Sequence, residues 1–308
     1  MRTPQRGCRR IDPAACPMLV ISMGLALLVV TPIESHEEIE VQVAEITRRL
    51  TLEPENATLL LRRAELHRFH RDWPAALADY ESAMELDPGL HVVQLSIGRL
   101  FLDADLPWLA LAALDRFIAA APDHAEAHLV RARAFLALGR RLAAAAEFTR
   151  GIDLGWTRPG SRGPRPDDYL DRARALAGEG GEHADAAVRG LDEGARKLGG
   201  AVALRLMALD IEIGRRRWDA ALERLSAIEA LSPRKEKWLA RRGEVLLEAG
   251  RPREAREAFE SAIEAIEALP HHCRGTRAVA ELSARIQGAL STLSASEEAH
   301  PEQEEQRT

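Results

Sequence analysis

A period of 34 residues runs through the middle of the chain and leaves few folds open to it. Pro54, Pro88 and Pro122 are spaced 34 and 34; so are Ala76, Ala110 and Ala144, and Tyr80, Leu114 and Phe148. The small residues Ala64, Gly98 and Ala132 share the interval, as do His67, Phe101 and Phe135. A fixed period of roughly 20–50 residues marks a stack of one supersecondary unit, each copy burying its apolar face on the next. Aromatics make up 4% of the 308 residues, too few to fill a wide sheet sandwich. The apolar 46%, mostly Ala and Leu, favours helix and excludes disorder throughout.

Each period reads as two helices. In the first, Leu60, Ala64 and His67 share one face at helical spacing. A break follows at Arg71-Asp72, and the second helix runs from Trp73 through Ala76, Tyr80 and Ala83. Leu-Asp-Pro-Gly (86–89) ends it, because Pro cannot continue a helix and Gly suits its C-terminal cap. Small residues at 64 and 76 let the paired helices approach, and Tyr80 fills the space between one pair and the next.

This spacing resembles the tetratricopeptide repeat. The first unit carries it in Leu60, Ala64, His67, Ala76, Tyr80, Ala83 and Pro88, and the second in Gly98, Phe101, Ala110, Leu114 and Pro122. The third has Ala132, Phe135, Gly139, Ala144 and Phe148, with Trp156 where Pro is expected. Later units are looser: Tyr169, Ala173, Leu176, Gly180, Ala187 and Leu191 mark a fourth, and Trp218, Ala221, Leu225 and Pro233 the second helix of a fifth. Gly243, Leu246, Gly250, Ala255, Phe259 and Ala262 mark a sixth. The resemblance implies an all-α fold, a right-handed superhelical α-solenoid of about six helix pairs. Lone helices at 37–52 and 276–293 are expected to cap its two ends.

The rest of the organisation follows from composition. Residues 1–35 hold Arg2, Arg6, Arg9 and Arg10, then the uncharged run Met18–Val30, and read as a signal peptide or an N-terminal membrane anchor. Cleavage would fall near His36, export the chain to the periplasm and remove Cys8 and Cys16, leaving Cys273 as a lone thiol. Retention would anchor it in the inner membrane. Residues 36–156 form the first three units with the N-terminal helix, and 157–166 a Pro/Gly loop. Residues 167–293 form the looser units with the capping helix, and 294–308, with five Glu and one Arg, an acidic disordered tail. Three Lys against 39 Arg point to a GC-rich bacterial genome.

Little chemistry is visible. The net charge of −6 carries no basic footprint for nucleic acid. No H-E-x-x-H, G-x-S-x-G or phosphate-binding Gly loop occurs, so the chain is not expected to be an enzyme or to hold a cofactor or metal. His67 falls in the Phe101/Phe135 column and reads as a packed residue; His70 and the loop cluster His271-His272-Cys273 lack further ligands. Arg63 and Arg131 share one repeat position, and Asp79 and Glu147 the facing one, which predicts two ion pairs. Unit two has Ile97 and Ala113 there, while units four and six break the pattern with Arg172 against Gly190 and Arg242 against Ala258.

The resemblance implies a non-catalytic scaffold that binds proteins or peptides on a concave face lined by the first helix of each pair. Position nine of the repeat, which in this family points into that groove, holds Arg99, Arg133 and Arg174 in units two to four, and Glu65 and Glu244 in units one and six. A basic stripe flanked by Leu95, Leu129 and Leu136 would take an acidic segment or a chain-terminal carboxylate. Arg abundance alone also explains three in one column, and the chain's own tail is a second occupant. The competing readings are an accessory subunit of an envelope enzyme, a His-based metal binder, and a purely structural part of an envelope complex.

Overall fold

The computed structural model describes residues 32–158, 160 and 163–298. The leader's basic and apolar runs and the last ten residues of the tail lie outside the described residues. Among the described residues there are fifteen helices and no strand. A first helix, α1 (Pro32–Leu50), precedes six helix pairs: α2 (Ala57–Phe69) with α3 (Trp73–Leu86), α4 (Val92–Asp103) with α5 (Pro107–Ala120), and α6 (Ala125–Ala137) with α7 (Arg141–Thr157). Then come α8 (Pro166–Ala177) with α9 (Gly181–Lys197), α10 (Val202–Gly214) with α11 (Trp218–Leu231), and α12 (Glu236–Glu248) with α13 (Pro252–Glu267). A short α14 (His271–Arg274) leads to α15 (Arg277–Glu298), whose Val279, Ile286 and Leu293 are buried with Phe259 and Ile266 of α13. The architecture is an all-α superhelical solenoid, capped by single helices.

Local chemistry starts and stops the helices. The Asn56 side chain accepts from the Leu59 amide at 3.0 Å, and Asp72 from Ala75 at 3.2 Å, each satisfying an otherwise unpaired donor of a first turn. Pro74, Pro107, Pro166 and Pro252 stand at helix starts, where a missing N–H costs nothing. Within every pair the chain reverses through a residue with a left-handed backbone: Arg71 (φ 63°), Asp105 (57°), Gly139 (71°), Gly180 (69°), Arg216 (56°) and Gly250 (72°). Gly adopts this conformation freely, whereas Arg or Asp there costs ~1–2 kcal/mol. Arg216 is exposed, so Arg216→Gly should relieve that strain. Glycine's greater freedom in the unfolded chain offsets part of the gain, leaving about 0.5–1 kcal/mol of added stability in urea melts. An unchanged or lower midpoint would show that the arginine side chain contributes more than its strain costs.

Four boundaries differ from the sequence reading. α1 begins at Pro32 rather than 37, since Pro is tolerated in a first helical turn. α7 passes the missing proline to Thr157, and Trp156 Nε1 donates to Tyr169 Oη at 2.7 Å. The His271–Cys273 segment is a short helix instead of a loop. α15 continues through the first five residues of the expected tail, where Arg256 donates to Ser294 Oγ at 3.2 Å and no Pro or Gly stops the helix.

The facing ion pairs form. Arg63 donates to both Asp79 oxygens at 2.7 Å and to Thr47 Oγ1 at 3.0 Å. Arg131 donates to Glu147 at 3.0 and 2.8 Å and to Asp115 at 2.9 Å. In unit six Arg242 turns back to Ser226 at 2.8 Å and Glu229 at 3.1 Å. In unit four Arg172 lies buried over the missing side chain of Gly190, where a Cβ would meet its Nη2 at 2.4 Å, with its guanidinium 5.2 Å from the centre of the Tyr169 ring. That Nη2 has no hydrogen-bond partner among the described residues, and burial lowers the guanidinium's pKa.

Candidate functional site

The first helices pack on one another in series, α2 on α4, α4 on α6, α6 on α8 and α8 on α10. The second helices share no comparable contact. A stack in which only one layer touches itself curves toward that layer, so the first helices line the inner, concave side.

Position nine lies on the seam between successive first helices, and its residues are committed there. Arg99 of α4 pairs with Glu126 of α6 at 2.7 Å. Arg133 of α6 pairs with the buried Asp168 of α8 at 2.7 Å and lies 3.6 Å from Asp171. Arg174 pairs with Asp171 of its own helix at 2.7 Å. The three arginines are therefore aligned but neutralised, which corrects the expectation of an open basic stripe: acids on α6 and α8 reach the position first. One of the expected apolar flanks, Leu95, is corrected as well, while Leu129 reaches the wall of a cleft between α6 and α8. Leu95 and Leu129 stand three residues before Gly98 and Ala132, hence on the face turned to the second helix, and both are buried in the core. Leu136 is half-buried against the same core.

In unit one the seam position is Glu65, which accepts from Tyr80 Oη at 2.9 Å and from Arg68 at 2.9 and 3.1 Å; Arg68 in turn pairs with Asp103. Burial disfavours ionised Glu65, but hydrogen bonds from Ser96, Arg68 and Tyr80 outweigh it and hold its pKa below the ordinary 4.5. Burial and the Glu65 charge push the Tyr80 hydroxyl up. Glu147 is likewise desolvated, yet its bonds to His128 and Arg131 hold its pKa below 4.5. A carboxylate with a lower pKa folded than unfolded contributes its full stability above the unfolded value and loses it as pH falls through the folded one. Urea midpoints should therefore hold from neutrality down to roughly the ordinary carboxylate range, near pH 4–5, and fall below it. Glu65→Gln and Glu147→Gln should each flatten that fall; an unaltered acid limb in both would remove these two groups from it.

Where the seam crosses from α6 to α8 it opens into a cleft of about 660 Å³. Its walls include Ala121, His124, Glu126, Leu129, Arg133, Arg158, Arg165 and Asp168. His124 caps α6, its Nδ1 accepting from the Ala127 amide at 3.3 Å, and burial lowers its pKa. Arg158 donates to the Asp123 carbonyl at 2.8 Å. The Arg165 amide donates to Asp168 Oδ2 at 2.9 Å, while its guanidinium is exposed with no ion pair among the described residues. Arg165 and His124 had no signal in the repeat columns, because both lie in inter-unit loops. Glu126 and Asp168 were accessible to a search for acids on the next first helix, 27 and 35 residues beyond the arginines they meet.

The histidines singled out in the sequence, unlike His124, sit apart from this cleft. His67 is half-buried with Nε2 4.0 Å from Asp79 Oδ2, and His271 and His272 are exposed on α14. Among the described residues no three His, Cys, Asp or Glu side chains gather as metal ligands, and no helix is long and apolar enough to cross a membrane.

Residues 95–159 and 206–270 match the tetratricopeptide repeat family, on the α4–α7 and α10–α13 stretches that carry the paired-helix geometry. Those two stretches carry tetratricopeptide repeats. Solved structures similar to it include a tetratricopeptide repeat protein from Parabacteroides merdae, at 15% identity over 85% of this chain and 94% of that one, with a TM-score of 0.49. Residues 41 to the end of MamA from Desulfovibrio magneticus RS-1 align at 15% identity over 50% and 82% of the two chains, TM-score 0.43. YrrB, described as a tetratricopeptide repeat protein with an unusual peptide-binding site, aligns at 15% over 71% and 91%, TM-score 0.38. No curated protein matches the sequence. Within this solenoid, the α6–α8 cleft, walled by the α5–α6 and α7–α8 connections, is the point where an exposed cation with no ion pair among the described residues, a concave volume and a seam between units coincide.

Proposed function

We propose that the chain is a non-catalytic scaffold that binds a protein or peptide on its concave face, and that the α6–α8 cleft receives an acidic segment or a chain-terminal carboxylate. The observation that carries this is Arg165: position-nine arginines are spent on intramolecular acids, whereas this guanidinium lines the cleft with no ion pair among the described residues. An unpaired guanidinium suits a carboxylate through two parallel hydrogen bonds. Leader residues 1–35 support export, by a signal removed near His36 or an anchor retained in the membrane, and N-terminal sequencing of the native protein decides between the two.

Selection of displayed random peptides on the full chain tests the cleft. Acidic or C-terminal carboxylate consensus peptides should emerge, bind less tightly to Arg165→Glu, and show a shallower salt dependence on that variant. Arg133→Glu is the poorer probe, because it would strand buried Asp168. Peptides of no acidic bias, or equal affinity for Arg165→Glu, would overturn the reading.

A further inference from the structure

The solenoid has two long edges, one formed by the turns within pairs and the other by the connections between pairs. The within-pair edge of units one to three is apolar on its outer surface. Phe69 ends α2 and is 74% exposed; Trp108, at the start of α5, is 61% exposed. Leu106 precedes α5, Leu138 follows α6, and Leu142 repeats the Trp108 position 34 residues on; all three are exposed. Single exposed apolar residues are ordinary on a protein surface, but five large ones in three adjoining turns form a patch that calls for an occupant. Arg71 and Arg140 stand among them, exposed and with no ion pair among the described residues; Asp72, Asp103 and Asp105 are the exposed acids beside them, and Asp103 is paired with Arg68. The opposite edge differs. Its exposed Leu52, Leu86 and Val92 sit beside Glu53, Glu55 and Asp87, and its exposed aromatic in these units, Trp156, is tied to Tyr169 through its indole N–H.

The start of the described chain lies at the apolar, within-pair edge. α1 runs antiparallel to α2, so its N-terminal half lies beside the end of α2: Ile39, Glu40 and Val43 line one pocket with His67, His70 and Asp72. The chain therefore enters the solenoid at the within-pair edge, next to Phe69. Seven residues of α1 precede Ile39, a rise of about 10 Å. The uncharged run Met18–Val30 ends two residues before α1 begins. Whatever takes up that run is held close to the patch.

We propose that the within-pair edge of units one to three lies on a lipid bilayer surface, with Trp108, Phe69, Leu106, Leu138 and Leu142 in the interfacial layer and Arg71 and Arg140 among the headgroup phosphates. Aromatic rings with one apolar body and one polar tip favour that layer, and Arg extends its charge out of it while its stem stays in apolar surroundings. The inference rests on the retained form of the leader, which keeps the edge at the membrane. Docking on this edge leaves the concave face and its cleft open to a protein ligand.

Trp108 is its own reporter. The full chain is reconstituted with phosphatidylcholine–phosphatidylglycerol vesicles that contain brominated phosphatidylcholine, and tryptophan emission is compared with that of Trp108→Phe. The wild-type emission should shift to the blue and be quenched by the brominated lipid, and Trp108→Phe should lose most of both effects. A Leu106→Glu, Leu142→Glu double variant with undiminished helicity should lose them too, while the leader still holds it on the vesicles. Trp108 emission unquenched by brominated lipid and open to aqueous acrylamide on vesicles would overturn the proposal. Shielding of Trp108 from acrylamide before vesicles are added would overturn it in favour of a second copy or a protein partner. N-terminal sequencing of the vesicle-bound protein reports separately on the leader: a cleaved chain whose Trp108 is still quenched refutes the retained leader and leaves the edge contact standing.

Discussion

Tyr80→Ala is expected to lower the unfolding free energy by about 3–5 kcal/mol, the range for removing a fully buried large side chain with incomplete collapse of the cavity. Tyr80 is wholly buried in a cluster with Ile46, Leu60, Ala64, Ala76 and Val93, so its ring joins the first cap, the first pair and the second pair. Its hydroxyl donates to Glu65 at 2.9 Å, and Tyr80→Phe should cost about 1–2 kcal/mol by leaving that carboxylate one donor short. The damage should be regional, because each unit of a solenoid contacts mainly its neighbours. Amide exchange in Tyr80→Ala should accelerate through α1 to α5 and remain slow in α12 to α15. A neutral Tyr80→Ala, or acceleration spread evenly along the chain, would contradict the assignment of Tyr80 as the pin between pairs.

Tyr80 was legible because a buried contact between neighbouring units recurs once per period, and recurrence shows in one sequence. The same holds for Leu114 and Phe148, which are also fully buried. Position nine was legible only in part. The column located Arg99, Arg133 and Arg174, but whether each is paired depends on acids that follow no common spacing, on the next unit for Arg99 and Arg133 and on its own helix for Arg174. The left-handed turn shows as glycine in three units and is hidden under Arg71, Asp105 and Arg216 in the others, because a side chain there strains the backbone without forbidding it. Arg165 belongs to the connection between units three and four, where the register gains extra residues and periodic reasoning has nothing to compare. Leu95 was misplaced because one turn separates the groove position from the core position, and both accept leucine.

The facing ion pair of unit one should behave as a unit whose halves cannot be removed singly. Asp79 is buried and holds both of its oxygens to Arg63, which is itself 21% exposed. Asp79→Ala leaves that guanidinium with Thr47 alone. Stranding one member of a buried pair costs ~3–5 kcal/mol, and the partial exposure of Arg63 reduces this to about 2–3 kcal/mol. Unit two shows the alternative at the same positions, with Ile97 and Ala113 both buried in apolar contact. The double variant Arg63→Ile, Asp79→Ala installs that arrangement in unit one and should lie within about 1 kcal/mol of the wild type, since apolar replacement of a whole buried pair is often neutral. The coupling energy from the four-way cycle would then be at least about 1 kcal/mol, well outside the ~0.3–0.5 kcal/mol scatter of independent sites. Additive losses would mean that the two positions do not share one environment. A large coupling would show why the chain keeps two solutions at one repeat position: each is stable as a pair, and any path between them through a single substitution passes over a stranded charge.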